Sequence, residues 1–309
     1  MKTTRLALNM MAALAVCLFC NTLAKAELPI TWVSEAGDDA NPCTKTQPCR
    51  TFAGAIAFTT PGGKIVCADA GEFGPVSISK SFSIDCRRTR GNILGNILVS
   101  TQTNVKVRLQ GLDIDGGGVS GIEGIKFAAG GSLYIEDTTI NNMSTGINVA
   151  LNQAANAEIF VINSHIRNNS SVGIFVSNAN SGLVSTVIER TMVENNFFGL
   201  IGRGGARIDA RNSTFARNAF TGVLAEVLTA GPTSIINVIN CSIINNGTGL
   251  SAGNSAVFGQ GTLVVSGTTI SFNGTGVTAG NGNAHTYSDN ILRNNTSNGA
   301  FNGPPITKN

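Results

Sequence analysis

The chain has 309 residues, of which 42% are hydrophobic and 13% are charged, and its formal net charge at pH 7 is +3. So few charges beside 37 glycines are typical of a chain with many tight turns, and they argue against a strongly basic nucleic-acid-binding protein. No apolar run beyond the amino terminus approaches the roughly 18 residues of a membrane-spanning helix, so membrane insertion is not predicted.

The amino terminus has the pattern of a secretory signal over residues 1–26. Lys2 and Arg5 precede an apolar stretch, and Ala24-Lys25-Ala26 forms a small-residue cleavage site. Cleavage would remove three cations and bring the net charge close to zero, so the apparent basicity belongs to this segment. The pattern predicts a secreted or periplasmic protein.

The next segment, residues 27–63, is predicted to form an amino-terminal cap. Residues 27–50 are read as irregular, and a short helix is predicted over 51–59 because Phe52, Ala55 and Ile56 share one helical face. Pro61-Gly62-Gly63 would end it. Short strands are predicted at 64–67, 76–78, 82–86, 97–99 and 105–109, followed by repeats to about residue 300 and a polar tail over 301–309.

Seven copies of one short phrase organise the repeat region. Each has an apolar residue, one or two asparagines in most copies, and then a glycine followed by a small or apolar residue. These glycines lie 23 to 27 residues apart: Gly146, Gly173, Gly199, Gly222, Gly249, Gly276 and Gly299. Such a period predicts a solenoid whose repeats bury their apolar faces against one another.

Two positions that recur in the repeats lead to specific structural predictions. The bend after each main strand carries Asp137, Asn163, Asn212 and Asn240, which we predict to form a hydrogen-bonded asparagine ladder. The repeated glycine is predicted to supply a backbone angle that other residues resist.

Five cysteines follow the signal segment. We predict the disulfides Cys43–Cys49, which closes a short loop, and Cys67–Cys86, which joins strands stacked one coil apart at a Cα separation of ~4.8 Å. Cys241 aligns with Thr138, Ser164, Ser213 and Thr268. It is interpreted as a small residue in an inward column, with a catalytic thiol as the alternative.

With these repeats, the chain resembles the right-handed parallel β-helix proteins of the pectin-lyase-like superfamily. The segment GDDANPC…QPCRTFAGAI…PGGKIVC (37–67) is similar to the cysteine-containing cap of secreted bacterial members. The resemblance implies an all-β, single-stranded parallel solenoid over about residues 31–300, with an amphipathic helix sealing the first coil. Because the superfamily contains both enzymes and noncatalytic surface proteins, the fold does not select an activity.

The motifs of several superfamily enzymes are missing. The motif set of polygalacturonase-type enzymes is not present, and Arg207-Ile208-Asp209 lacks the lysine of its Arg-Ile-Lys member. The segment 71–75 (GEFGP) has the outline of the pectin methylesterase motif Gly-x-Tyr-x-Glu without its Tyr or Glu, and the Asp-Pro-His-Asp motif of alginate epimerases is absent. The calcium cluster of pectate lyases can be recognised only from geometry.

Outward polar residues suggest one candidate site. Aligning the repeats on their inward apolar residues stacks a first column of Asp113, Thr139, His165, Met192 and Thr214, and a second of Asp115, Asn141, Arg167, Glu194 and Ala216. Asp113 and Asp115 would lie ~6.5–7 Å apart, which suits the carboxylates of an inverting glycosidase or a Ca²⁺ site, with His165 or Arg167 assisting. The alternative interpretation is turn chemistry at Asp113 and Asp115 and a surface ion pair between Arg167 and Glu194.

A second candidate site is basic. Arg203, Arg207, Arg211 and Arg217 fall within one and a half coils and would bind an acidic polysaccharide, although Glu189 aligns with Arg211 and would then pair with it.

These patterns predict a secreted, noncatalytic β-helix protein that binds a polysaccharide or another cell-surface polymer. The alternatives are a polysaccharide lyase or glycoside hydrolase using Asp113 and Asp115, and a structural or adhesive surface protein. No nucleic-acid partner and no cofactor other than Ca²⁺ is predicted, and the oligomeric state stays open. The single Trp and two Tyr residues weaken both sugar-directed interpretations, because sugars usually stack on aromatic rings.

Overall fold

The computed structural model describes residues 27–226, 232–253 and 261–307. The predicted signal segment 1–26 lies outside the described residues. The described chain winds into a parallel β-solenoid in which each complete coil contributes one strand to each of three sheets, named here A, B and C. Its strand neighbours are always one coil apart and parallel, as the repeat period predicts.

The strands of each sheet follow one another in chain order up the solenoid. Sheet A contains Leu28–Val33, Thr59–Cys67, Phe82–Asp85, Lys106–Gln110, Ser132–Glu136, Ala157–Ile162, Val184–Glu189, Ala206–Arg211, Ile235–Ile239, Thr262–Ser266 and Asn283–Thr286. Sheet B contains Gly71–Glu72, Gly91–Leu94, Leu112–Asp115, Thr139–Asn141, His165–Arg167, Met192–Glu194, Thr214–Ala216, Ser242–Ile244, Thr269–Ser271 and Ile291–Arg293. Sheet C contains Val76–Ile78, Ile97–Ser100, Glu123–Ala129, Thr145–Leu151, Val172–Asn178, Phe198–Gly202, Thr221–Ala225, Thr248–Ala252, Thr275–Thr278 and Ser297–Gly299.

Columns of apolar side chains fill the centre of the solenoid. In sheet B the inward column is fully buried and contains Ile114, Ile140, Ile166, Val193, Phe215, Ile243 and Ile270. Burying each such side chain contributes roughly 1.5–3 kcal/mol, so the inward column holds the register of the outward residues beside it. No helix among the described residues is long and apolar enough to cross a membrane.

The amino-terminal segment differs from its prediction in two respects. Residues 28–33 form a strand of sheet A instead of an irregular segment, and the helix is limited to Phe52–Ile56, with the Thr51 hydroxyl accepting from the Gly54 amide at 2.9 Å. The following strand already begins at Thr59 and contains Pro61. Proline is tolerated because the pairing register shifts between Leu28–Thr59 and Ile30–Lys64, which leaves Pro61 in an irregular part of the ladder.

An asparagine ladder exists, but the prediction placed it in the wrong column. It runs through the turn between sheets B and C, and all of its members except the half-buried Asn295 are buried. Side-chain Nδ2 atoms donate to the next Oδ1 at 2.8–3.1 Å along Asn169, Asn196, Asn218, Asn246, Asn273 and Asn295. In the predicted column of Asp137, Asn163, Asn212 and Asn240, one such bond is present, from Asn163 Nδ2 to Asp137 Oδ1 at 2.5 Å. All four residues adopt left-handed backbone angles, with φ between 49° and 52°. Asn and Asp tolerate that conformation better than most residues, which explains their repetition there.

The repeated glycines also have a different cause from the one predicted. Among Gly146, Gly173, Gly199, Gly222, Gly249, Gly276 and Gly299, only Gly299 has a positive φ. A Cβ atom at Gly173 would lie 2.7 Å from the carbonyl oxygen of Gly199 and 2.7 Å from Cγ1 of Val193. Close stacking of neighbouring coils, and not an unusual backbone angle, therefore requires glycine at this position.

Both predicted disulfides, Cys43–Cys49 and Cys67–Cys86, are present. Cys67 and Cys86 lie 4.9 Å apart at Cα, as expected for strands one coil apart. Cys241 is a buried free cysteine, and its amide donates to the Thr268 hydroxyl at 3.2 Å in the predicted inward column. Burial raises the pKa of its thiol, which disfavours the thiolate that a nucleophile needs.

Candidate functional site

The two outward columns of sheet B have the predicted register. Asp113, Thr139, His165, Met192 and Thr214 pair in succession, as do Asp115, Asn141, Arg167, Glu194 and Ala216. The structure therefore brings the predicted site residues to one face, and their side-chain partners determine what each can do.

Asp113 is held by an arginine that the sequence analysis did not consider. Arg90 donates from Nε to Oδ2 at 3.1 Å and contacts Oδ1 through Nη2, while its Nη1 donates to the backbone oxygen of Asp137 at 2.6 Å. Both oxygens of Asp113 thus face a guanidinium, which occupies the positions that a substrate or ion would need.

Asp115 belongs to the turn that follows its strand. It accepts from the amide of Gly117 at 2.7 Å and from the side-chain amides of Asn141 at 3.1 Å and Asn142 at 3.0 Å. These groups present N–H donors, whereas Ca²⁺ requires a shell of oxygens. Nor do the residues within the described ranges form any cluster of three or more metal-ligating His, Cys, Asp or Glu side chains. The Asp113–Asp115 pair therefore does not fit a Ca²⁺ site.

His165 and Glu194 are joined across the two columns. The His165 Nε2 atom lies 2.7 Å from Oε1 of Glu194, whose other oxygen contacts Arg217 from the next coil. Glu194 does not form the ion pair with Arg167 that was considered from their register. Within the described structure Arg167 has no ion-pair partner, and its buried Nε lacks a hydrogen-bond acceptor.

The neighbours of His165 determine the direction in which its pKa shifts. Burial lowers the pKa of His165 below its usual value of 6.5, and the charges of Arg167 and Arg217 lower it further. The lowered pKa favours the neutral imidazole, in which a proton on Nε2 would donate to Glu194 and leave the lone pair on Nδ1. His165 also lines an open cavity of about 420 Å³, the histidine cavity, together with Arg90, Thr139, Arg190 and others.

We expect the lowered pKa of His165 to make acid destabilise the fold. The unfolded histidine has a pKa near 6.5, so below that pH the unfolded state binds more protons than the folded state and stability falls as pH falls. Thermal unfolding between about pH 5 and pH 8 should show the wild type losing stability toward acid relative to His165→Gln, which cannot titrate. A difference that grows in favour of the wild type toward acid would contradict this expectation.

The predicted basic cluster does not form one patch. Arg203 pairs with Glu226, Arg211 with Glu189 as anticipated, and Arg217 with Glu194. Arg207 donates to the backbone oxygens of Ala206 and Thr233. Three of the four charges are therefore compensated within the protein, on different parts of the coil.

A polar and aromatic column on the outer face of sheet A was missed by the sequence analysis. Arg108, Tyr134 and Phe160 occupy successive coils in register. The guanidinium of Arg108 lies 4.6 Å from the Tyr134 ring centroid, and the Tyr134 and Phe160 rings stack at 4.6 Å with 5° between their planes. The aligned phrases YIEDTTI and FVINSHI already place the two rings level, but only their inward and bend positions had been interpreted.

An open groove of about 410 Å³ lies beside this column. It is lined by Ser83, Asn104, Lys106, Arg108 and Tyr134, among others. We call this the arginine groove. The stacked rings of Tyr134 and Phe160 thus lie beside cationic and hydroxyl groups.

Comparison with known proteins agrees with this architecture. The family described as right handed beta helix region matches residues 150–303. The pectate lyase Pel9A is similar in structure, with a TM-score of 0.52, 13% identity, and coverage of 84% of this chain and 68% of that one. A rhamnogalacturonan lyase gives a TM-score of 0.52 and 14% identity, covering 89% of this chain and 88% of that one.

An amino-terminal fragment of the gene product 12 of bacteriophage Phi29 gives a TM-score of 0.51 and 13% identity, covering 73% of this chain and 48% of that one. No curated protein matches the sequence. At these identities the likeness is one of fold. The chain therefore has the fold of a right-handed parallel β-helix, which it shares with these solved structures.

Proposed function

We propose that the protein is a secreted, noncatalytic β-helix protein that binds an acidic polysaccharide along the outer face of sheet A. The observation that carries the proposal is the stack of Arg108, Tyr134 and Phe160 beside the arginine groove. It combines an apolar surface with a planar guanidinium, and such a pair binds a sugar ring and a carboxylate together.

The distribution of charge supports this proposal. The chain without its predicted signal is nearly neutral, yet the first coils of this face carry the cations Lys64, Arg87, Arg88, Lys106 and Arg108. The acidic residues near them include Asp137, whose charge acts on Arg87, and Asp85 and Glu136, which pair with Arg87 and Arg108. Segregated positive charge on a neutral protein attracts a polyanion to one face.

Secretion and the capping of the first coil are further parts of the proposal. Two disulfides favour an oxidising compartment, in agreement with the predicted signal. The buried Phe52 and Ala55 support a capping role for the helix Phe52–Ile56, since the Phe52 ring packs 5.2 Å from that of Phe73 in the first coil. Such a helix would shield the open end of the solenoid.

A second candidate function, polysaccharide lyase, rests on the histidine cavity. His165, whose lowered pKa favours the neutral imidazole, lines a cavity that also contains Arg90 and Arg190. The imidazole would remove the proton next to a uronate carboxylate while an arginine stabilises the resulting charge. A carbon–carbon double bond would then form as the bond to the glycosidic oxygen breaks, and that oxygen would take a proton from solvent. This assigns the base to His165 instead of Asp113 or Asp115, whose oxygens are occupied.

Binding to immobilised pectate, alginate and a neutral glucan tests the proposal. We expect retention on an acidic polymer that weakens with salt, and a loss of at least about tenfold in affinity, or about 1.4 kcal/mol, in Arg108→Ala. Arg293→Ala, which removes an exposed cation from sheet B in the last coil, is the matched control. Equal losses of affinity in Arg108→Ala and Arg293→Ala would mean that only the net charge of the protein matters. That result would refute binding along the outer face of sheet A.

Incubation with the same polysaccharides also distinguishes binding from lyase activity and from a structural or adhesive role. Unsaturated products with ultraviolet absorbance that disappear in His165→Ala would replace binding by lyase activity. Neither retention nor product would favour a structural or adhesive role.

A further inference from the structure

A second cavity lies at the amino-terminal end of the same face. It measures about 760 Å³, within the usual range of small-molecule sites, and we call it the tryptophan cavity. Its walls include Trp32 from the first strand of sheet A, Lys64 from the second and Asp85 from the third, together with Lys45 and the segment 87–89. Lys64, Ser83 and Arg108 follow one another in one outward column, so this cavity and the arginine groove share a continuous surface.

The tryptophan cavity is strongly cationic. Lys45, Lys64, Arg87 and Arg88 line it with a single carboxylate, Asp85. Asp85 is engaged by Arg87 at 2.9 Å and lies 3.8 Å from Lys64. Arg88 has no ion-pair partner in the described part of the chain, and the Lys45 ammonium lies 5.4 Å from the Trp32 ring centroid. The cavity therefore keeps positive charge that the protein does not neutralise.

Thr89, one of the residues that line the cavity, also carries an unused polar atom. The Thr89 hydroxyl oxygen is shielded from solvent and has no hydrogen-bond partner among the described residues. A buried hydroxyl without a partner is destabilising, so a ligand that supplied a partner would offset part of that loss. The cations favour an anionic ligand, and the Thr89 hydroxyl favours one that also carries neutral polar groups.

We propose that the tryptophan cavity binds an acidic sugar unit, with its ring against Trp32, its anionic group at Arg88 and Lys45, and a hydroxyl at Thr89. The inference rests on the proposed polysaccharide-binding function and gives it a specific subsite. An aromatic face, uncompensated cations and an unpaired hydroxyl match the three surfaces of such a sugar. The anionic group would be a carboxylate, as in a uronate, or a sulfate ester.

The fluorescence of Trp32 tests this directly, because it is the only tryptophan of the chain. We would titrate the purified protein with trigalacturonate, a heparin-derived tetrasaccharide, neutral cellotriose and inorganic sulfate. We expect a saturable change with at least one acidic oligosaccharide and none with cellotriose. The two acidic probes distinguish a carboxylate from a sulfate ester. An equal response to inorganic sulfate would overturn the sugar assignment.

Two variants refine the test. Arg88→Ala should lower the affinity for the acidic oligosaccharide, read from the fluorescence titration, at least about tenfold. Thr89→Val, which removes only the hydroxyl, should lower that affinity severalfold. Arg293→Ala should leave it unchanged, and an unaltered circular dichroism spectrum and melting temperature would show that each variant folds. Unchanged affinity in Arg88→Ala would refute the proposal.

Failure of this inference is separable from failure of the proposed function. Retention on an acidic polymer without any change in Trp32 fluorescence would refute the cavity and leave polymer binding intact. A fluorescence response to oligosaccharides with no effect of Arg108→Ala on polymer retention would support the cavity and refute the arginine groove. Absence of both signals would refute both.

Discussion

Replacing Asn218 by leucine should lower the free energy of unfolding by about 4 kcal/mol, since a loss of roughly 1–3 kcal/mol is expected for each buried group left unpaired. Asn218 is fully buried in the asparagine ladder. Its Oδ1 accepts from the backbone and side-chain amides of Asn196, and its Nδ2 donates to Val193 O and Asn246 Oδ1. Leucine fills a similar volume but leaves these partners without hydrogen bonds in a dry interior.

Urea unfolding followed by far-ultraviolet circular dichroism measures this effect. Asn180→Leu is the control, because Asn180 is exposed and its Oδ1 accepts only from the neighbouring Ser181 amide at 2.8 Å. We expect the control to change stability by less than about 0.5 kcal/mol. A loss below about 1 kcal/mol in Asn218→Leu would mean that the neighbouring amides find other partners, and that the ladder contributes little.

Removing the Cys67–Cys86 disulfide by the double substitution Cys67→Ala/Cys86→Ala should cost about 3 kcal/mol in the loop-entropy description. The bridge closes a sequence separation of 19 residues and ties together the second and third strands of sheet A. Cys67 also lines the tryptophan cavity, so the variant should weaken the Trp32 response to an acidic oligosaccharide.

The other disulfide provides the comparison. Cys43–Cys49 spans only six residues, so Cys43→Ala/Cys49→Ala should cost less, about 2 kcal/mol. Urea midpoints of the two variants, with and without reductant, measure the order. If reductant destabilises Cys67→Ala/Cys86→Ala as much as the wild type, the 67–86 bridge is not the stabilising one.

How much of the structure could be predicted from the sequence depends on the kind of interaction. The register of Asp113, His165 and Glu194 was predictable because inward Ile114, Ile166 and Val193 cannot leave the core without exposing a whole column. The ladder was misplaced because two columns of asparagine share one period, and periodicity does not reveal which of them turns inward. The partners of Glu194 were missed because they depend on side-chain direction and not on strand pairing.

By itself, the sequence determined a parallel solenoid, both disulfides and the stacking of outward residues, because each follows from the repeat period and from burial of apolar columns. Only the tertiary structure decided how the polar side chains are used. Arg90 reaches Asp113 from the coil before it, and Arg217 reaches Glu194 from the coil after it. Likewise, the tryptophan cavity gathers Trp32, Lys64 and Arg88 from three coils. Long flexible side chains choose partners by proximity in space, and the solenoid creates that proximity between residues that no single repeat contains.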